Sequence, residues 1–327
     1  MTTQLSEATR QLESAARAAL HAPSVFNTQP WRWRIKDETM QLYADPDRQL
    51  TSTDPDGRLL LISCGTALHH ARTALAAAGW SATVTRLPDP TQPDLLARVQ
   101  LDQAVPADPE ADRMAAAINR RRTDRRAFGT LAVSDATLTR LRRHVEAEGA
   151  YLHVVPGDQI PMLAISTERA AVAQHDDPGY REELDHWTNR PPWRGDGVPP
   201  STAVQPALRR VPVRDFAPAG NAHLDAGRGV DKGAAYVIVF GTADARIDLL
   251  RAGEALSALL LLATAEGLAT AVASEAVEVA WPRHLLKTLL SDIGEPYIVV
   301  RLGYPVAHAM LAPQVRRFPT ETIEIEP

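Results

Sequence analysis

Cysteine is almost missing from this chain. Cys64 is the single one in 327 residues, which excludes an internal disulfide. A large excess of one charge is missing too. The formal net charge is -5 and the sequence pI about 6.1, so there is no overall attraction to nucleic acid or to an anionic membrane, and any bound anion must be held by a local cluster. The polar start "MTTQLSEATRQLE" has no apolar signal-peptide core, and a cytoplasmic location is the resulting expectation. The most apolar stretch, "ALSALLLLATAEGLATAVA" (255–273), follows Arg251 and Glu254 and is interrupted by Glu266 and Gly267. It reads as a buried helix running into a buried strand, not as a membrane span. Neither "GxGxxG" after a strand, nor "GxSxG", nor a phosphate loop ending in glycine-lysine occurs, so a domain for a permanently bound dinucleotide is not expected. The ten histidines show no ligand spacing with cysteine. His69 and His70 are adjacent and should point in different directions around a helix, so no metal site is expected.

What is present is a hydrophobic content of 45%, enough for a sizeable core. Periodicity places helices near 5–20, 56–79, 109–120, 133–148, 160–173, 244–266 and 281–291. Strands fall near 31–36, 40–44, 81–86, 95–101, 151–155, 234–240, 269–274 and 297–303. Helices mixed with short strands indicate an α+β fold, expected around one central sheet. Residues 174–233, with "RPPWRGDGVPPSTAVQP", are dense in proline and glycine and are expected to resist regular structure. They nevertheless carry Tyr180, Trp187, Trp193 and Phe216 in a chain only 5% aromatic, so this insertion should pack against something, as lids do.

An internal repeat is visible. "DGRLLLISCGTALHHARTALAAAGWSATV" (56–84) and "DARIDLLRAGEALSALLLLATAEGLATAV" (244–272) align without a gap at a shift of 188. The shift pairs Asp56 with Asp244, Arg58 with Arg246, Gly65 with Gly253, and Gly79 with Gly267. Two alanine-rich helices can converge by composition alone, but the paired glycines keep the same spacing. The chain therefore reads as two related halves, 1–105 and 106–327, packed about a local two-fold axis.

"APSVFNTQPW" (22–31) resembles the proline-serine-asparagine turn of the FMN-dependent nitroreductases. "RRRTDRRAF" (120–128) is similar to their arginine entry motif, "AEGLATAVASE" (265–275) to the strand leading to the flavin ring, "YIVVRLGYP" (297–305) to the last core strand, and "RRFP" (316–319) to the basic C-terminal tail. In that family the arginine motif of one subunit and the turn of the other make each site of a homodimer. Here the first half carries only the turn and the second only the arginine motif. The resemblance is therefore to the single-chain, Acg-like branch, and it implies a nitroreductase-like pseudo-dimer: a monomer that mimics the family homodimer and holds one FMN.

The resemblance also implies roles for residues. Arg121 and Thr123, with Arg122 beside them, would face the phosphate and ribityl end. Arg125 would approach the pyrimidine edge of the ring, and Arg316 and Arg317 would close over the phosphate. Guanidinium suits phosphate because it donates two parallel hydrogen bonds. In the turn, Pro23 and Pro30 fix the backbone, Ser24 and Asn27 would serve the ring edge, and Gln29 would tie the loop to neighbouring backbone. Ser274 or Glu275 would supply a backbone contact to the reactive ring nitrogen. Trp31 and Trp33, on one side of a strand, are expected in the core between the halves. The flavin itself would be the catalyst, reduced by NAD(P)H that visits transiently and reoxidised by a small acceptor such as a nitroaromatic or quinone. Two rivals remain: a flavin-sequestering protein whose lid suppresses turnover, and an interaction protein with a vestigial cofactor site.

Overall fold

The structure is a computed structural model that describes residues 6–106, 108–306 and 311–326. Helix α1 (Glu7–Ala19) begins where the Ser6 hydroxyl accepts from the Thr9 amide at 3.0 Å, which satisfies one of the otherwise unpaired first-turn donors. After the turn come strands β1 (Trp31–Lys36) and β2 (Thr39–Ala44), helix α2 (Arg58–Ala77), and strands β3 (Trp80–Arg86) and β4 (Leu95–Ala104). The alternation of buried and exposed residues in β1 puts Trp31 and Trp33 on its inner face, where both belong to the core.

The chain continues with α3 (Pro109–Ile118), α4 (Asp135–Ala147), β5 (Tyr151–Val154), α5 (Ile160–Asp176) and α6 (Pro178–Thr188). It continues with β6 (Ala235–Gly241), α7 (Arg246–Ala265), β7 (Ala269–Ala273), α8 (Glu275–Glu278), α9 (Ala280–Leu289), β8 (Glu295–Gly303), α10 (Pro319–Thr322) and β9 (Ile323–Ile325). There are two sheets among the described residues, not one. The first has the order β3-β4-β2-β1-β9 and the second β5-β6-β8-β7. The expectation of one central sheet fails because α2 packs on the first sheet, α7 on the second, and the two helices pack on each other. Both helices are buried around most of their circumference, as a helix pair between two sheets must be.

The paired glycines mark the crossing of α2 and α7. A Cβ on Gly65 would meet the carbonyl oxygen of Leu250 and stand 2.8 Å from the Gly253 Cα. One on Gly253 would meet the Ile62 carbonyl and stand 2.7 Å from the Gly65 Cα. Only hydrogen at both positions lets the backbones approach this closely. The strand that follows each helix, the one after that, and the two before it occupy matching places: β3-β4-β2-β1 in one sheet, β7-β8-β6-β5 in the other. Strand β9 departs from this correspondence. It comes from the far end of the chain and lies parallel to β1, with Trp33 opposite Ile323.

The 174–233 segment is more regular than its composition suggests. Pro178 opens α6 instead of breaking it: the Asp177 carboxylate caps the Gly179 amide at 2.8 Å, and proline at the first helical position forfeits no hydrogen bond. Tyr180, Trp187 and Phe216 form a second apolar cluster with Phe26 and Leu50. Trp193 does not join it and is 73% exposed.

Candidate functional site

The quoted turn is a strained piece of backbone. Phe26, Asn27 and Gln29 adopt φ of 47°, 55° and 50°, a region that costs a non-glycine residue on the order of 1 kcal/mol or more. Side chains hold it there. The Ser24 hydroxyl accepts from the Gln29 amide at 2.9 Å, and Gln29 donates to the Gly195 carbonyl at 2.8 Å while its own carbonyl accepts from the Arg317 amide at 2.9 Å. Asn27 donates to the carbonyls of Gly197 and Val315 at 3.1 and 3.2 Å and accepts from Arg316 at 2.6 Å. Gln29 therefore ties the loop to neighbouring backbone. Asn27 faces the insertion and the C-terminal arm, away from the expected ring edge. A Cβ on Gly195 would collide with the Arg316 carbonyl, so the insertion and the arm meet through glycine.

The arginine segment docks on the edge of β7. Thr123 forms a bridge with Thr270, and the Asp124 amide donates to the Thr270 carbonyl at 2.8 Å. Buried Arg301 anchors it from beneath, donating to the carbonyls of Asp124 and Arg126 at 2.9 Å each while pairing with Asp231 at 2.5 Å. Arg126 pairs with Asp124 at 2.8 Å, whereas Arg121, Arg122 and Arg125 of the same run make no ion pair among the described residues.

Arg121, Arg122 and Arg316 converge with no carboxylate paired to them among the described residues. Arg121 and Arg316 donate to one backbone oxygen, that of His21, at 3.4 and 2.9 Å, and Arg122 donates to the carbonyls of Asn119 and Arg121 at 2.9 and 2.7 Å. Within the cluster, buried guanidinium nitrogens remain without a partner among the described residues: Nε and Nη1 of Arg121, Nε of Arg122 and Nε of Arg316. Burial, with Arg122 beside it, pushes Arg121 down to about 10. Burial and the guanidiniums of Arg121 and Arg122 hold Arg316 well below the arginine range, and burial with the same three charges lowers His21. Uncompensated buried cations are costly, and an anion with several acceptor oxygens would remove that cost. This donor set suits a phosphate.

Next to the cluster lies a cavity of about 80 Å³ lined by Pro23, Ser24, Thr123, Arg125, Ser274 and Phe216, among others. A second of about 40 Å³ shares Arg125, Phe216 and Ser274 and adds Glu275. Each is well under the roughly 300 Å³ at which ligand pockets usually begin. Phe216, from the insertion, fills the space between them. Its ring lies 4.4 Å beneath the Arg125 guanidinium and packs edge-on against Phe26 at 5.5 Å. Arg125 has no carboxylate partner either; it donates to the Thr202 carbonyl at 3.1 Å, and burial with Arg214 nearby pushes it down to about 10. Burial raises the Glu275 carboxyl.

Eleven of the twelve expected site residues thus lie around this cluster and its cavities, or hold the turn beside them. Glu275 does so from the smaller cavity, and it also lines a larger one of about 450 Å³. Arg317 is turned away: its guanidinium contacts the carbonyls of Gln29 and Trp31 at 3.0 and 3.4 Å and Asp45 at 3.5 Å, so it clamps the arm to β1 and does not join Arg316. The sequence left His21, Phe26 and Arg214 unmarked, and His70 was considered only as a metal ligand and set aside. Only Phe26 carried a signal, as an aromatic inside the recognised turn. His69 and His70 do not diverge as their adjacency suggests: the Nδ1 atoms of both lie 2.8 Å from the Ser257 hydroxyl. The Thr66 carbonyl, 2.9 Å from His70 Nδ1, can only accept, which puts the His70 proton on that nitrogen. No cluster of metal-ligating side chains occurs among the described residues, and no helix among them is long and apolar enough to cross a membrane.

No protein-family model matches the chain. It is 38% identical over 317 residues to a Mycobacterium tuberculosis protein named "Putative NAD(P)H nitroreductase acg", covering 95% of this chain and 92% of that one. An uncharacterized protein of the same organism is 37% identical over 314 residues, covering 94% and 90%. Among solved structures, the FMN-dependent nitroreductase NfnB from Mycobacterium smegmatis in complex with NADPH matches at TM-score 0.43 and 16% identity, over 67% of this chain and all of that one. A Bacteroides fragilis nitroreductase with bound FMN matches at TM-score 0.40 and 17% identity, over 63% and 96%. These structural scores are too low to bear on the fold, whereas the curated relatives span nearly the whole chain. On that identity and coverage, the chain belongs to the nitroreductase family, in the branch of the mycobacterial acg protein.

Proposed function

We propose that this protein binds one FMN per chain and acts as an NAD(P)H oxidoreductase on a small acceptor, a nitroaromatic or a quinone. The observation that carries the reading is the cluster of Arg121, Arg122 and Arg316, which is short of a multivalent anion. Its position beside the cavity lined by Ser24, Thr123, Arg125 and Ser274 suits a ligand with a phosphate at one end and a planar ring at the other. Arg121, Arg122 and Arg316 would hold the phosphate, and Thr123 the ribityl chain. Arg125 would stabilise negative charge on the ring, and the backbone at Ser274 or Glu275 would meet its reactive edge. Bound FMN supplies a ring that accepts a hydride from NAD(P)H and passes it to the acceptor. The name of the acg relative agrees in kind with this chemistry.

The test compares FMN with riboflavin, which lacks the phosphate. Hydrogen bonds to charged groups contribute about 1.5–3 kcal/mol each, so the protein should prefer FMN by roughly a hundredfold or more. Arg121→Ala and Arg316→Ala should each shrink that preference at least tenfold and leave riboflavin affinity nearly unchanged. Equal losses for both flavins would place the phosphate elsewhere.

A second reading rests on Phe216. Its ring stands where the flavin ring would lie, and the 195–197 strap is bonded to Asn27 and Gln29, so the insertion is placed to shield a bound flavin and suppress turnover. The two readings separate on anaerobic addition of NADPH to the FMN-loaded protein: rapid bleaching supports the enzyme, whereas a flavin reducible by dithionite and not by NADPH supports sequestration. The chain reads further as two related halves, 1–105 and 106–327, with the insertion at 174–233 and a monomeric pseudo-dimer as the working form. Matching strand orders and the glycine crossing support that reading.

A further inference from the structure

A cavity of about 450 Å³, several times larger than either ring-side cavity, lies on the other side of the 212–219 segment. Its walls are α5, α6 and that segment, and most of its lining is apolar, including Ala171, Tyr180, Leu184, Val213 and Ala217. Charge at its floor is already matched. Arg214 pairs with Glu278 at 2.6 Å and lies 3.6 Å from Glu275, so the cation at the floor is already neutralised. At the rim, Arg181, Asp185 and Asp215 carry both signs. Tyr180 and Asn221 are among the lining residues, and their side chains make no hydrogen bond among the described residues. Burial pushes the Tyr180 hydroxyl up to about 12, so it remains a donor.

The 212–219 segment has two faces. Asp215 and Ala217 line the large cavity, while Phe216 between them fills the ring space beside Arg125. Arg214 joins the two sides, stacking on Phe26 at 5.0 Å and Phe216 at 5.7 Å. For a planar ring to lie beside Arg125 and Ser274, Phe216 must withdraw, and the room behind its segment is the large cavity.

We propose that this cavity is a second small-molecule site, for a neutral and mainly aromatic ligand bearing one hydrogen-bond acceptor, and that filling it braces Phe216 inward and opposes FMN binding. The proposal rests on the FMN reading above for its second part only. Coupling between the two ligands is reciprocal: each weakens the other by the same factor.

The experiment uses 1-tetralone as the probe, titrated calorimetrically into the flavin-free full-length protein and then into protein with FMN. One saturable probe site is expected, lost in Leu184→Trp and weakened in Ala171→Phe, the latter a change at an exposed position on α5 that leaves folding intact. With the probe at about ten times its own Kd, the apparent Kd for FMN should rise about tenfold. The anionic analogue 2-naphthoate should bind much more weakly. Absence of saturable binding, or binding that survives both substitutions, would overturn the site. An FMN Kd that stays unchanged in the wild-type protein with the probe at about ten times its own Kd would overturn the coupling. Failure of the wild-type protein to bind FMN would overturn both the flavin reading and the coupling, while the probe titrations would still decide the site.

Discussion

At the residue scale, unsatisfied groups are informative. Arg121, Arg122 and Arg316 are the opposite of Glu254, a fully buried carboxylate answered by Arg72 at 2.7 Å and Arg86 at 2.6 Å. Where the protein buries charge for structure it supplies the partner, so a buried cluster without one points to a ligand. The arginine run and the turn were legible in sequence because each is a contiguous motif. His21 and His70 were not, since only folding brings them to the cluster. Burial, opposed by Glu148 and reinforced by Arg72, pushes His69 down to about 4. The unfolded chain therefore binds a proton that the folded chain refuses between about pH 6.5 and pH 4, and stability is complete above that window and lost as pH falls through it. Relative to His69→Gln, the wild-type protein should lose up to roughly 3 kcal/mol between pH 7 and pH 4. Urea denaturation at the two pH values measures this. An unchanged difference would mean that His69 is charged in the folded state.

At the element scale, α2 and α7 were legible because burial around most of their surface leaves an apolar run that resists any other reading, and their shared glycine spacing exposed the repeat. Helix α6 was hidden because Pro178 and Gly179 look like a break, although a proline preceded by Asp177 is a helix start. Strand β9 was hidden for another reason: three residues carry no periodicity, and its pairing with β1 is wholly non-local. Replacing glycine by alanine in a helix interior normally gains about 0.5–1 kcal/mol. Gly65→Ala and Gly253→Ala should instead cost several kcal/mol, because the new methyl meets a backbone carbonyl that cannot move aside. A thermal melt of either variant that matched the parent would show that the helices do not cross there. For the insertion, Phe216→Ala should accelerate FMN association at least several-fold in stopped-flow mixing, since the ring space is then open. Slower or unchanged association would mean that Phe216 is no obstacle.

At the scale of the whole molecule, the two sheets share a strand order while the proposed site is built once. The turn at 22–31 follows α1, the arginine segment at 120–128 follows α3, and the C-terminal arm crosses back to the turn through Asn27 and Gln29. Sequence showed this directly, as two motifs each present once. It did not show that Phe216 occupies the ring space, which depends on how a proline-rich segment folds back over the site. The most direct measurement is the FMN stoichiometry of the 35.6 kDa chain, by spectral titration of flavin-free protein whose mass in solution is fixed by light scattering. One FMN per monomer is the expected result. Two per chain would mean that each half builds a site of its own, and none would mean that the arginine cluster serves a different anion.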